Sequence, residues 1–203
     1  MSYRVITIGR EFESNGTEIA QEVARRLHIS YIDKFLITEA AQKSGFNIDR
    51  IRESDERLAS RFEYSMAEAA ETYGSGSTPV PTSEKVARIQ FDLIREYAES
   101  EPCVIVGRCA NYVLRDRDDV LDVYIYASFD YRVNQTMEKL QMTLPTATRL
   151  VRSTDKARSR YFKNFTGWNY KDLDCYQMIL NSDRLGFEQC VQMIIDAYNG
   201  KKD

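Results

Sequence analysis

The chain has 203 residues, 43% hydrophobic and 29% charged, with a net charge of −3. That is enough for one α/β domain with a substantial core, and the acid excess argues against bulk nucleic-acid binding, which needs a strongly positive surface. Four cysteines (103, 109, 175, 190) without Cys-x-x-Cys spacing and a single histidine, His28, support neither a zinc site of usual spacing nor a Cys–His catalytic pair. No segment approaches the roughly 18 consecutive apolar residues of a membrane span. Met1 leads straight into an apolar run without signal-peptide design, so a reducing cytoplasm is the expected setting, with neither nucleic acid nor membrane as partner.

The alternation of Val5, Ile6 and Ile8 predicts a first strand, followed by a turn-rich stretch from Gly9 to Gly16. From Thr17 to Leu27, Ile19, Ala20, Val23, Ala24 and Leu27 fall on one helical face, with Glu22, Arg25 and Arg26 outside it. A short second strand is expected at Ile29–Ile32, then a helical stretch to about Lys43 that Ser44-Gly45 stops. Residues 47–73, rich in charge and alanine, read as helical, and Gly74 to Pro81 is a break. Thr82 or Ser83 caps a helix whose apolar residues Val86, Ile89, Leu93, Ile94 and Tyr97 follow the 3.6 period. Cys103–Val106 is wholly apolar, as a strand buried on both faces of a parallel sheet would be. Further strands are expected at Leu121–Ala127 and Gln177–Asn181, with a last helix from Phe187 to Tyr198. Strands alternating with helices imply one α/β domain over residues 1–203, a parallel sheet wrapped by helices.

Strand, loop and helix at residues 4–20 occur in the order a phosphate cradle requires, because loop amides and a helix N-terminus both aim positive partial charge at an anion. The G-x-x-x-x-G-K-[ST] pattern itself is not met: Gly16 takes the lysine's place, and Glu18 reads as the stand-in for the Mg²⁺-binding hydroxyl. Four further segments join this one in order: Tyr31-Ile-Asp-Lys34, Val104 to Leu114 with its Gly107-Arg108-Cys109, Asp122 to Ala127, and Asp155 to Phe162 with Thr166-Gly-Trp168. Together with Gly9-Arg-Glu-Phe12 they closely resemble the cytidylate kinase-like family of P-loop nucleoside monophosphate kinases. The resemblance covers nearly the whole chain, with little in residues 47–85.

The resemblance implies a five-stranded parallel sheet, a helical acceptor-binding insert at 38–85 and an arginine-bearing lid at 143–170. It implies transfer of the ATP γ-phosphoryl to CMP or a similar acceptor with Mg²⁺. This branch typically reads Gly-Ser-Gly-Gly where this chain has Glu13, Ser14, Asn15 and Gly16. Ser14, Asn15, Gly16, Thr17 and Glu18 are the expected donor-binding residues. Arg10, at the start of the loop, is the nearest substitute for the missing lysine, beside its bland reading as a surface arginine.

Glu13 is the difficult loop residue. A carboxylate about 4 Å from a phosphate charge costs roughly 4 kcal/mol at an effective dielectric near 20, nearly three orders of magnitude in affinity. It must point to solvent or meet a cation. Glu18 either ligates Mg²⁺ or simply favours the helix dipole. Asp33 either holds a substrate hydroxyl or metal-bound water at the strand end, or caps the next helix. Arg108 suits bidentate phosphate recognition, and Cys109 reads as a small packed residue. In the lid, Arg158 and, with less force, Arg132 and Arg152 are raised by the resemblance as phosphate clamps, with Asp155 orienting Arg158. Tyr161, Phe162, Phe165 and Trp168 read as the lid's apolar anchor. Two other readings stay open: a nucleotide-binding module without catalysis, and a kinase for another small metabolite. The sequence does not give the oligomeric state.

Overall fold

The computed structural model describes residues 2–33 and 82–200, with side chains from 87 onward in the second stretch. The helices expected between residues 34 and 73, the break at 74–81 and most of the proposed insert lie outside the described residues. Strand β1 (Val5–Arg10) leads through the loop into helix α1 (Gly16–Leu27) and strand β2 (Ser30–Ile32). Helix α2 (Thr82–Ser100), strand β3 (Cys103–Val106) and the single turn α3 (Ala110–Val113) follow. Strand β4 (Val120–Tyr126), helices α4 (Phe129–Leu140) and α5 (Leu144–Thr166), strand β5 (Met178–Asn181), the short α6 (Ser182–Leu185) and α7 (Phe187–Gly200) complete the chain.

The strands form one sheet in the order β2-β3-β1-β4-β5, with every adjacent pair parallel. A parallel sheet needs apolar cover on both faces. Ile6, Ile8, Val104, Val106, Val123 and Ile125 meet Ile19, Ala20 and Val23 of α1 and Val191 and Ile194 of α7 on one face. Val5, Cys103 and Ile105 meet Ile94 and Ala98 of α2 on the other. The isoleucines are wholly buried, each contributing about 1.5–3 kcal/mol on leaving water. The periodicity of α2 marks the helix correctly, but its most buried positions are Ala87, Gln90, Ile94 and Ala98; Ile89, Leu93 and Tyr97 flank that stripe.

The second face carries polar chemistry too: Thr7 donates to the buried Asp122 carboxylate in the adjacent register position of β4. Near the β4 end, Tyr124 packs with Phe162, Tyr170, Tyr176 and Cys109. Of the aromatics expected to anchor residues 143–170, which form α5 and the turn after it, Phe162 is buried in this cluster, whereas Trp168 is 40% exposed and lies edge-on to Tyr112. All four cysteines are free. Among the described residues no helix is long and apolar enough to cross a membrane.

Candidate functional site

With β1 in the middle of the sheet, the loop of residues 11–15 emerges at the centre of its carboxyl edge. Glu13 (φ 54°) and Asn15 (φ 58°) both adopt the left-handed conformation. The loop thus keeps a glycine-type backbone with two non-glycine residues, at about 1–2 kcal/mol each. Ser14 sits at its centre, buried, its hydroxyl donating to the carbonyls of Glu11 (3.0 Å) and Ile125 (3.2 Å). Asn15 occupies the N-cap position of α1 without capping it; its side-chain amide instead donates to the Tyr131 hydroxyl at 2.9 Å. First-turn helix amides have no intrahelical partners. With no side-chain cap over them, they suit an anion.

Glu13 meets a cation. Its carboxylate lies 2.8 Å from Lys139 of α4, and the same ammonium reaches Glu18 at 2.9 Å. The repulsion toward a phosphate is thereby reduced at its source. Glu18, expected as a metal ligand, is half-exposed and turned to Lys139. Thr17 directly follows Gly16 and so holds the register of the pattern's hydroxyl; it, not Glu18, lines the cavity described below. The loop's other carboxylate, Glu11, is buried against Arg132 (3.2 Å) and Lys171.

Arg132 does more than pair with Glu11. It reaches Asp155 at 2.6 Å and donates to the carbonyls of Ala127 and Phe12, while Asp155 accepts from the Phe12 amide at 2.9 Å. Expected as a phosphate clamp, Arg132 is instead a buried strut tying the loop to α4 and α5. Asp155, expected to orient Arg158, serves this strut, because its carboxylate is drawn to the loop. Arg152 also stands apart, exposed, with its guanidinium 5.1 Å from the Phe129 ring centroid. No sequence spacing announced Lys139 or Lys171 as partners of loop carboxylates, since each pair is brought together only by the fold.

A cavity of about 460 Å³ lies beside the loop at the ends of β1, β2 and β3, roofed by α5. Arg10, Asp33, Arg108 and Arg158 line it as expected of site residues, together with Thr17; Ser14, Asn15 and Gly16 do not line it. The sequence reading missed Phe12, Tyr31, Asn111 and Tyr170 on its wall; it took Tyr161 only for an anchor. Tyr31 lies in the segment Tyr31-Ile-Asp-Lys34 but has no expected role there, and Tyr170 lies in no motif; their positions at a strand end and after the α5 turn bring them here.

Three positive-φ residues in succession, Gly107 (76°), Arg108 (52°) and Cys109 (59°), turn the chain out of β3. Left-handed residues ordinarily occur singly, so this turn is strained. It sends Arg108 to the cavity, its guanidinium 5.5 Å from the Tyr161 ring centroid. Cys109 is buried, and that burial pushes its thiol up to about 12, so it is a packed residue and no nucleophile at neutral pH. From the roof, Arg158 donates to the Arg10 carbonyl at 3.1 Å. The Tyr170 hydroxyl accepts from the Arg10 amide at 3.0 Å and donates to the same carbonyl at 3.1 Å.

Arg10 is the most constrained of these groups. Burial, with the nearby Arg158 charge second, holds its guanidinium down to about 10, still a cation at neutral pH. Its Nε is buried without a hydrogen-bond partner. A cleft with cationic, hydroxyl and aromatic walls at the carboxyl edge of a parallel sheet suits a small phosphorylated molecule with a planar ring. Among the described residues no three of His, Cys, Asp and Glu gather as a metal cluster.

A model of the cytidylate kinase-like family matches residues 5–184. The chain is 20% identical over 195 residues to a cytidylate kinase from Sulfurisphaera tokodaii, covering 96% of this chain and 94% of that protein. It is 24% identical over 201 residues to a cytidylate kinase from Mycoplasmoides gallisepticum, covering 91% and 88%. Among solved structures, an uncharacterized protein from Eubacterium ventriosum superposes with a TM-score of 0.74 at 24% identity, covering 97% and 99%. The shikimate kinase from Acinetobacter baumannii gives 0.54 at 11% identity, covering 98% and 95%, and carries the likeness to the P-loop kinase fold.

Proposed function

The chain belongs to the cytidylate kinase-like family, and from that premise we propose that it transfers the γ-phosphoryl of ATP to a small phosphorylated acceptor, CMP or a related nucleoside monophosphate. The observation that carries the reading is the cavity at the strand ends, with Arg10, Arg108 and Arg158 on its wall. In this scheme the left-handed loop and the uncapped start of α1 receive the donor's phosphates, and Lys139 keeps Glu13 from repelling them. Arg108 binds the acceptor phosphate, with Asp33 on a sugar hydroxyl, while Tyr31 and Tyr161 border the base. Arg158, donated from α5, adds positive charge where the phosphoryl group moves, a role suited to a reaction that rests mostly on positioning and electrostatics.

A phosphate acceptor is already anionic, so no general base is needed. The residues fit a Mg²⁺ that Thr17 and Asp33, both oxygen-bearing and on the cavity wall, would help to hold. When bound, the ion neutralises charge on the donor's β- and γ-phosphates. The four free cysteines are in keeping with a reducing cytoplasm.

A coupled ADP-release assay with CMP, dCMP, UMP and AMP tests the proposal. Turnover with at least one acceptor is expected. Measurable ATP binding without turnover on any of them favours the second reading, a nucleotide-binding module, to which the glycine at position 16 and the carboxylate at Glu13 lend support.

A further inference from the structure

We propose that Arg10, Gly16 and Gly107 form one device, a phosphate-gripping guanidinium carried by strand β1 in place of the ammonium that a P-loop mounts on its helix. That the anion is a phosphoryl group of a polyphosphate rests on the phosphotransfer reading; the stereochemistry does not. Arg10 leaves the end of β1 across the first turn of α1. A Cβ on Gly16 would stand 2.6 Å from Arg10 Cβ and 3.0 Å from its Cγ. The obstructing atom is at the root of the arginine side chain, where it cannot swing aside. While Arg10 holds this course, position 16, the lysine's place, is closed to every side chain.

The other end of the arginine occupies the space that Gly107 leaves. A Cβ on Gly107 would stand 2.3 Å from Arg10 Nη1, the flexible tip of the side chain, and would displace it from this position. The charge is therefore delivered between the ends of β1 and β3, on a cavity wall shared with Arg108 and Arg158. Its Nε is buried and, among the described residues, has no hydrogen-bond partner to hold the guanidinium elsewhere. A planar fork grips phosphate in a way a single ammonium does not. Gly16 and the arginine are thus mutually required, and Gly107 leaves the guanidinium its place: the helix-borne cation and the strand-borne cation exclude one another.

Two measurements test the device. In the ligand-free protein, Gly16→Ala should lower the melting temperature when Arg10 is present, and leave it unchanged or raise it in an Arg10→Gly background, since alanine otherwise favours a helix. Equal effects in both backgrounds would overturn the exclusion. Binding of inorganic tripolyphosphate, followed by calorimetry, should weaken at least about tenfold in Arg10→Gly, as loss of a charged hydrogen bond predicts. Arg10→Lys, which keeps the charge and the stem but loses the fork, should fall between. The double variant Arg10→Gly with Gly16→Lys should recover binding to within about threefold, whereas Gly16→Lys alone should not bind. Unchanged binding in Arg10→Gly, or no binding by the wild-type protein, would overturn the proposal. Tripolyphosphate binding that follows this pattern without ADP release from ATP would sustain the device and remove the phosphotransfer reading instead.

Discussion

Two left-handed stretches lie at the ends of adjacent strands, the loop after β1 and the turn after β3, and they are held in different ways. The loop is braced from outside: Glu11 and Asp155 clasp Arg132, Lys139 holds Glu13 and Glu18, and Tyr131 accepts from Asn15. Its polar side chains are engaged with α4, α5 and Lys171, while Phe12 lies on the cavity wall. The turn after β3 is held by main chain, with Gly107 donating to Ile8 and Ala110 back to Gly107. Its Arg108 side chain reaches the cavity wall. One region is built to present amides and the other to present a guanidinium, so removing side chains should damage them differently.

Arg132→Met should have the largest effect. It leaves Glu11 with Lys171 and Asp155 with the Phe12 amide but removes the buried cation they share, and breaking a buried pair costs up to about 3–5 kcal/mol. Denaturant unfolding checks this; a loss below about 1 kcal/mol would mean the ion network does not hold the loop. Asp122→Asn, on the strand beyond the loop, separates the sheet's own electrostatics from those of either turn. Burial raises this carboxyl from 3.8 to about 6, against the hydrogen bonds from Thr7 and Gln177. The folded state then holds the proton more tightly than the unfolded one. Stability is full below about pH 4 and falls as pH rises through about 6, by about 3 kcal/mol for a shift of about two units. The asparagine variant should flatten that portion of the stability–pH curve and be the more stable protein at pH 7.

Arg108→Ala should leave folding nearly intact yet raise the acceptor KM or lower kcat about tenfold, the measure of one charged hydrogen bond. Unchanged steady-state kinetics would take Arg108 out of the acceptor site. Glu13→Gly should do least. Relief of left-handed strain, about 1–2 kcal/mol, is offset by the lost pair with Lys139 and the greater freedom of the unfolded chain. A net change within about 0.5 kcal/mol in thermal unfolding is expected, and a larger fall would show that the Lys139 pair, not the backbone, shapes the loop.

The sheet was legible because its strands announce themselves physically. The run Cys103–Val106 became β3 with no shift of boundary, while β4 moved by one residue at both ends and β5 by one residue at its start. Helix α1 starts at Gly16, one residue before the first position of the amphipathic pattern. At the site, residues placed by their own strand end were readable: Arg10, Asp33 and Arg108 all reach the cavity. Residues whose role depends on a distant partner were not. Nothing local distinguishes Arg132, which is buried, from Arg158, which lines the cavity, because both lie on helices amid charge. Asp155 is three residues from Arg158 but bonds to the Phe12 amide and to Arg132 instead.

Helix α5 runs 23 residues, about 35 Å, without a break. Asp155 fastens to the Phe12 amide and, one turn on, Arg158 fastens to the Arg10 carbonyl. A rod gripped at two neighbouring points behaves as a lever whose fulcrum is the loop after β1 itself. It cannot swing away to admit a molecule without unbuttoning residues 10–12, so access and loop geometry are geared to one another.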